Sequence, residues 1–206
     1  STLSIRLKVT DAKGTATTDV FSITVLDKNE SPTAISLSST GISENSGANV
    51  AIGTLSATDE DGQDTHTFTL VSGTGADDNG VFEITSGQLK AKIDFNYEEK
   101  ASYSIRIKVT DNGGLSFESV QLINIQNVNE SPTGLAISNS SLGENQGADA
   151  FIATLTASDP DAGSTFTFEL ANGAGSENNS SFSISNSNEL RANSSFDFES
   201  KSSYSI

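Results

Sequence analysis

The sequence predicts an all-β protein built from tandem seven-stranded Greek-key β-sandwiches. Three observations carry that expectation. A phrase recurs at fixed spacing: Asp27-Lys28-Asn29-Glu30-Ser31-Pro32-Thr33 returns one hundred residues later as Asn127-Val128-Asn129-Glu130-Ser131-Pro132-Thr133. Apolar residues alternate with polar ones in short runs. Gly-, Asn-, Asp- and Ser-rich breaks separate those runs, and no stretch carries a helical period.

The repeat frame runs along most of the chain. Ile5-Arg6-Leu7-Lys8-Val9-Thr10-Asp11 matches Ile105-Arg106-Ile107-Lys108-Val109-Thr110-Asp111, and Glu44-Asn45 matches Glu144-Asn145. Asp59-Glu60-Asp61 matches Asp159-Pro160-Asp161, whereas Tyr103-Ser104-Ile105 meets Tyr204-Ser205-Ile206 at an offset of 101. One residue is therefore inserted between Phe182 and Leu190, in an expected turn. Within the middle repeat the alternation places strands near 34–38, 50–57, 66–71, 81–85, 88–93, 103–110 and 117–126. Each has one buried and one wet face, because side chains alternate across a strand. Phe166, Phe168 and Leu170 predict the equivalent strand in the last repeat. Seven short strands in about 100 residues indicate a β-sandwich. The absence of Cys and Trp argues against an antibody-type domain.

The frame divides the chain into residues 1–29, the last two strands of a unit; residues 30–129, a complete repeat; and residues 130–206, about the first five strands of another. Two strands alone are marginal in water, and a five-strand remnant exposes a sheet edge and half a core. Two readings of this phase stay open. One is a cut from a longer chain. The other is complementation, in which residues 1–29 of one molecule complete the last unit of the next in a head-to-tail contact.

Charge narrows the partners. The 206 residues carry a formal net charge of −16, which repels nucleic acid and anionic membrane and favours cations. No apolar run approaches the roughly 18 residues of a membrane span. With one His and no Cys, neither a serine triad nor a thiol nucleophile can be assembled, so no enzyme is expected. His66 reads as a core-edge residue. The Gly73–Gly80 segment reads as a hairpin loop, and no Lys follows its glycines to make a phosphate loop.

The carboxylates are not scattered. Of 27 acidic residues, 14 fall at Asp11, Asp111, Asp27, Glu30, Glu130, Glu44, Glu144, Asp59, Asp159, Asp61, Asp161, Glu98, Glu199 and Asp197, beside strand ends and the repeated phrase. Such clusters repel themselves unless cations neutralise them. Asp, Glu and Asn are oxygen donors, and calcium takes 6–8 oxygens in a flexible geometry. Zinc and copper are poorly served by a chain with one imidazole and no thiol.

These residues resemble the cadherin repeat, in particular the cadherin-like repeats of large bacterial surface proteins. The resemblance rests on Glu44 and Glu144 in Glu-Asn, Asp59/Asp61 and Asp159/Asp161 in Asp-x-Asp, and Asp197/Glu199 in Phe-Asp-Phe-Glu. It rests also on Asp11 and Asp111 in Lys-Val-Thr-Asp, with the acidic linker before a Pro. It spans essentially the whole chain and implies an immunoglobulin-like sandwich with calcium between successive units.

Carried over, the resemblance builds a first joint from Asp27, Asn29 and Glu30 with Asp59, Asp61 and Asp111. It builds a second from Glu44, Asn96 and Glu98, linker residues Asn127, Asn129 and Glu130, and Asp159 and Asp161. Asp11, Glu144, Asp197 and Glu199 belong to joints beyond the chain. Asn96 and Asn127 stand where the family has Asp, keeping an oxygen but losing a charge, and Asp94 substitutes for Asn96 only with a register shift. The implied function is a calcium-rigidified extracellular module, secreted or at the cell surface, of an adhesin or filament protein. Its partners are calcium and neighbouring repeats or identical chains. The alternative is a polysaccharide-binding module, for which Phe95, Tyr97, Phe196 and Phe198 are the aromatic candidates.

Overall fold

The computed structural model describes residues 2–206. Its elements are almost all strands: β1 (Thr2–Thr10), β2 (Ala16–Thr24), β3 (Ala34–Leu37), β4 (Gly41–Ser43), β5 (Ala51–Thr58), β6 (Thr67–Leu70), β7 (Phe82–Thr85) and β8 (Gln88–Ala91). They continue through β9 (Ser102–Thr110), β10 (Ser116–Gln126), β11 (Gly134–Ile137), β12 (Phe151–Ser158), β13 (Phe182–Ser185) and β14 (Glu189–Ala192). Single 3-10 turns at Asn79–Val81 and Asn179–Ser181 lead into β7 and β13. The chain forms two compact units, 1–126 and 127–206.

The first unit contains a sandwich. One sheet runs β4-β10-β9-β6 and the other β3-β5-β8-β7. Alternation decides what lies between them. In β9, Tyr103, Ile105, Ile107 and Val109 are buried, while Ser104, Arg106, Lys108 and Thr110 between them are only half-buried. They pack with Ile123 and Ile125 of β10 against Ile35, Ile52, Leu55, Phe82 and Leu89 of the facing sheet. Burying an aliphatic side chain of this size stabilises by about 1.5–3 kcal/mol, so this two-layer core is the main favourable term. Phe82, Phe95 and Tyr103 close one end, with Phe95 and Tyr103 ring centroids 4.7 Å apart.

The observed strands agree with the expected ones to within two or three residues at each end. The three-residue β4 is an addition, pairing parallel with β10 through Gly41–Asn124, Ile42–Ile125 and Ser43–Gln126. With only Ile42 buried, it carries no period to read.

The β1–β2 pair also belongs to the first unit. It is a nine-residue antiparallel ladder from Thr2–Thr24 to Thr10–Ala16, and every residue along it is exposed.

The second unit holds one sheet, β11-β12-β14-β13. Its smaller core joins Ile152, Ala153, Phe182, Leu190 and Ala192, with Leu170, Phe196 and Tyr204 packed against it. The expected strand at Phe166–Leu170 is corrected here: it forms no ladder. Its counterpart β6 takes its hydrogen bonds from β9, and residues 201–206, which reach the equivalent of that strand's start, form no strand. The inserted residue does lie in a turn. Ser86 and Gly87, both at positive φ (51° and 74°), join β7 to β8, the backbone that suits a two-residue hairpin. Asn186, Ser187 and Asn188 span the same gap in the second unit.

Candidate metal centres

Four local structures place the acidic side chains, and each occurs twice. The first is the Glu-Asn pair after β4. Asn45 and Asn145 adopt positive φ (56° and 60°), a region Asn tolerates better than most residues. The backbone N–H of Asn45 donates to Phe95 O at 3.2 Å and that of Asn145 to Phe196 O at 3.0 Å. Each preceding Glu accepts a backbone N–H: Glu44 Oε2, buried, from Tyr97 N at 2.7 Å, and Glu144 Oε2, exposed, from Phe198 N at 3.1 Å. Glu44 is 2% exposed, a carboxylate that needs charge-assisted partners to remain there.

The second structure is the Asp-x-Asp loop. Asp59 Oδ1 accepts from Asp61 N at 3.1 Å and Asp159 Oδ1 from Asp161 N at 2.9 Å. The third ties that loop to the linker, since Asp61 Oδ2 accepts from Glu30 N, and Asp161 Oδ2 from Glu130 N, each at 2.8 Å. The fourth is the turn after β1 and β9. Asp11 Oδ1 accepts from Thr15 N and Asp111 Oδ1 from Leu115 N, both at 2.8 Å.

At the first joint the structure brings together most of the expected residues. Asp111 is 6% exposed, and its Oδ2 accepts from Asn29 Nδ2 at 3.1 Å. A Cβ at Gly113 would collide with the Asn29 amide, so glycine lets the linker close on this turn. Asp59, Asp111 and Asp64, the last not expected as a ligand, each bring a carboxylate oxygen within 4.8 Å of the others. Asp59 Oδ2 also lies 3.1 Å from His66 Nε2, and that hydrogen bond is the leading reason the Asp59 carboxyl sits below its ordinary range. Glu30 is pushed up, by desolvation first and then by the charges of Asp61, Glu60 and Asp27. Asp27 thus stands close to the joint, whereas Asp11 serves its own turn by also accepting from Lys13 N at 2.9 Å.

The residues expected at the second joint belong to both units. In the first unit, Glu44 and Glu98 bring carboxylate oxygens within 4.8 Å of each other. Asn96 Oδ1 accepts from Glu99 N at 2.8 Å and so caps a turn. Asp94 Oδ1 accepts from Gly47 N at 2.8 Å. In the second unit, Asn129 Nδ2 donates to Glu130 O at 2.9 Å, Asn127 lies two residues before it, and Asp159 and Asp161 keep the loop described above. Glu144, Asp197 and Glu199 form a further exposed group within 4.8 Å.

The donors suit a hard cation. They are carboxylate, amide and carbonyl oxygens without thiol, the set calcium takes. A buried, unpartnered oxygen supports the fit: Asp64 Oδ2 has no hydrogen-bond partner. Such an atom costs free energy unless something pairs with it. Asp64 carries no repeat signal in the sequence, because its counterpart in the last repeat is Ser164.

The aromatic candidates divide. Phe95 is 3% exposed and Phe196 packs on Phe182 and Tyr204, so both belong to cores, while Tyr97 and Phe198 are exposed.

Residues 38–126 match the cadherin domain family model. Among solved structures the chain is similar to protocadherin gamma B7 extracellular cadherin domains 1–4, at 20% identity and a TM-score of 0.65. That similarity covers 98% of this chain and 51% of the other. The extracellular domain of protocadherin gamma B4 matches at 25% identity and a TM-score of 0.62, over 97% of this chain and 34% of that one. The human desmocollin-1 ectodomain matches at 20% identity and 0.57, over 93% and 40%. The chain therefore spans from about a third to about half the length of these relatives. Among the described residues no helix is long and apolar enough to cross a membrane.

Proposed function

We propose that the chain is a calcium-binding, calcium-rigidified extracellular module of a large surface adhesin or filament protein, of the bacterial cadherin-like type. The observation that carries this reading is the Asp59–Asp64–Asp111 group, three carboxylate oxygens within 4.8 Å of one another with Asn29 on Asp111. Like charges this close repel, and the repulsion grows where water is displaced. Asp59, Asp61, Asp111, Asn29 and Glu30 would hold the ion at the first joint. Glu44, Asn96 and Glu98 are further candidate ligands in the first unit, and Asn127, Asn129, Glu130, Asp159 and Asp161 are candidate ligands in the second. Asp27, Asp11, Glu144, Asp197 and Glu199 are the outlying candidates.

Bound calcium supplies charge neutralisation and fixed geometry. Because the ion binds the folded state, it stabilises that state by mass action. The protein's own residues prepare the site. Backbone N–H groups of Leu115, Tyr97, Asp61 and Glu30 hold the carboxylates in place. Isothermal titration of the metal-free chain with calcium tests the reading. Saturable calcium binding, with magnesium a weaker competitor, is expected from the multi-carboxylate geometry. Absence of saturable binding overturns it.

A second feature of the same reading is head-to-tail polymerisation. In the second unit a groove of about 700 Å³ is lined by Ile137, Leu142, Ile152, Phe182, Leu190 and Tyr204. The first unit's β1–β2 pair exposes Leu3, Ile5, Leu7 and Val9. Its sequence repeats that of β9, which covers the equivalent core of the first unit. The occupant we assign to the groove is the β1–β2 pair of a second copy. Sedimentation at rising concentration in calcium is expected to show linear oligomers, and Leu7→Asp to remove them. A chain that stays monomeric throughout contradicts the assignment.

A further inference from the structure

We infer that Asn112–Gly113 is a site of spontaneous deamidation, and that this modification loosens the contact between the linker and the β9–β10 turn as the protein ages. The modification needs no bound ion, so it goes beyond the calcium reading without resting on it. The chain has three Asn-Gly pairs, Asn79–Gly80, Asn112–Gly113 and Asn172–Gly173. In each, a side-chain amide precedes the residue type that hinders main-chain rotation least, so the Gly nitrogen can reach the Asn Cγ.

Local structure separates the three. Asn79 stands in a 3-10 turn; its Nδ2 donates to Val71 O at 2.9 Å and its Oδ1 accepts from Arg106 N at 3.0 Å. Both ends of that amide are held. At Asn172 the attacking nitrogen is held, because Gly173 N donates to Ser176 Oγ at 3.0 Å. A hydrogen bond that must open first slows ring closure by about fivefold. Asn112 and Gly113 are both exposed, in the turn between β9 and β10. The side-chain partner of Asn112 is the Asp64 carboxylate. An amide can only donate to it, through Nδ2, the atom that leaves. Among the described residues the attacking nitrogen has no acceptor: the turn's hydrogen bonds to Asp111 come from Gly114 N and Leu115 N. In the matching turn after β1, Lys13 N stands in the place of Gly113 N and donates to Asp11 Oδ1 at 2.9 Å. That turn has Ala12 in the place of Asn112, so its path requires no amide there.

The steps balance with water alone. Gly113 N bonds to Asn112 Cγ, the Cγ–Nδ2 bond breaks, and the amide nitrogen leaves as ammonia with the proton of the Gly113 N–H. One water then opens the cyclic imide. Opening at Cγ leaves an aspartate at position 112; opening at the main-chain carbonyl leaves an isoaspartate. Either product removes the donor to Asp64 and puts a negative charge there instead. Asp64 already has an oxygen within 4.8 Å of those of Asp59 and Asp111, and like charges this close repel. Isoaspartate also lengthens the main chain by a methylene. It does so beside Gly113, where the Asn29 amide leaves no room for a Cβ, and beside Asp111, whose Oδ2 accepts from that amide at 3.1 Å. The linker is thus held by the turn that the modification alters.

The test ages the whole chain in chelator at neutral pH beside Asn112→Ala. Mass spectrometry follows the three Asn-Gly peptides, and methyltransferase labelling counts isoaspartate. Conversion is expected first at Asn112, about fivefold or more ahead of Asn172, with Asn79 last. Aged wild type is expected to melt about 2–4 °C below fresh protein, and Asn112→Ala to melt alike fresh and aged. Asn112→Asp, which carries the charge without the longer main chain, is expected to melt below wild type before any ageing. An Asn112 that keeps its amide while a synthetic peptide of residues 109–116 loses it overturns the assignment of the site. So does conversion that begins at Asn79. Conversion at Asn112 with an unchanged melt overturns the loosening.

Discussion

β9–β10 and β1–β2 are two copies of one strand pair with opposite fates. Both are antiparallel ladders of nine paired residues, and the phrase Ile-Arg-x-Lys-Val-Thr-Asp is common to them. In β9, Ile105, Ile107 and Val109 are 0% exposed; in β1, Ile5, Leu7 and Val9 are 42%, 54% and 66% exposed. Even the closing turns agree, with Asp11 and Asp111 each holding the N–H four residues on. Sequence pattern thus specifies the ladder, the turn and the apolar face. Burial additionally requires the opposing sheet, which β3, β5, β8 and β7 supply to β9.

Substitutions break that comparison in order of size. Ile107→Ala empties a sealed position and is expected to cost about 2–5 kcal/mol in denaturant unfolding. Next comes Asp78, which pins the edge of β9: its Oδ2 accepts from Ser104 N at 2.7 Å and its Oδ1 pairs with Lys100. Burial raises this carboxyl, but the Lys100 and Ser104 hydrogen bonds and the Lys100 charge together hold it below the ordinary range. A depressed folded-state value means its stabilisation is present above the unfolded pKa and disappears as pH falls through the lower folded one. Asp78→Ala is therefore expected to cost about 1–3 kcal/mol near neutrality and to flatten the acid limb of a stability–pH curve. Leu7→Ala, the match of Ile107→Ala, is expected to stay within about 0.5 kcal/mol in dilute solution. A cost comparable to that of Ile107→Ala would show that β1 is covered in solution, and would sharpen the case for strand exchange.

Much of this was legible in the residues. Ile105, Ile107 and Val109 alternate so regularly that β9 is found with nearly its observed bounds. β4 is not, because three residues carry no period and its parallel partner lies about eighty positions away. Phe166–Leu170 has the right pattern but no ladder, since pattern cannot supply a neighbouring strand. At the candidate sites, the positions shared by both repeats were readable as acidic motifs. Asp64 and the Asp59–His66 contact were not, because each occurs once; Phe166 stands where His66 does and Ser164 where Asp64 does. Comparison between repeats finds what the repeats share and passes over what distinguishes one from the other.

The most direct test of the central claim is the melting temperature of the whole chain, measured by calorimetry in chelator and then across rising calcium. Ligation by carboxylates gathered this closely requires the melt to rise with calcium and to fall again when chelator is restored. A melt that is the same in both solutions would contradict calcium as the ion these side chains are arranged to hold.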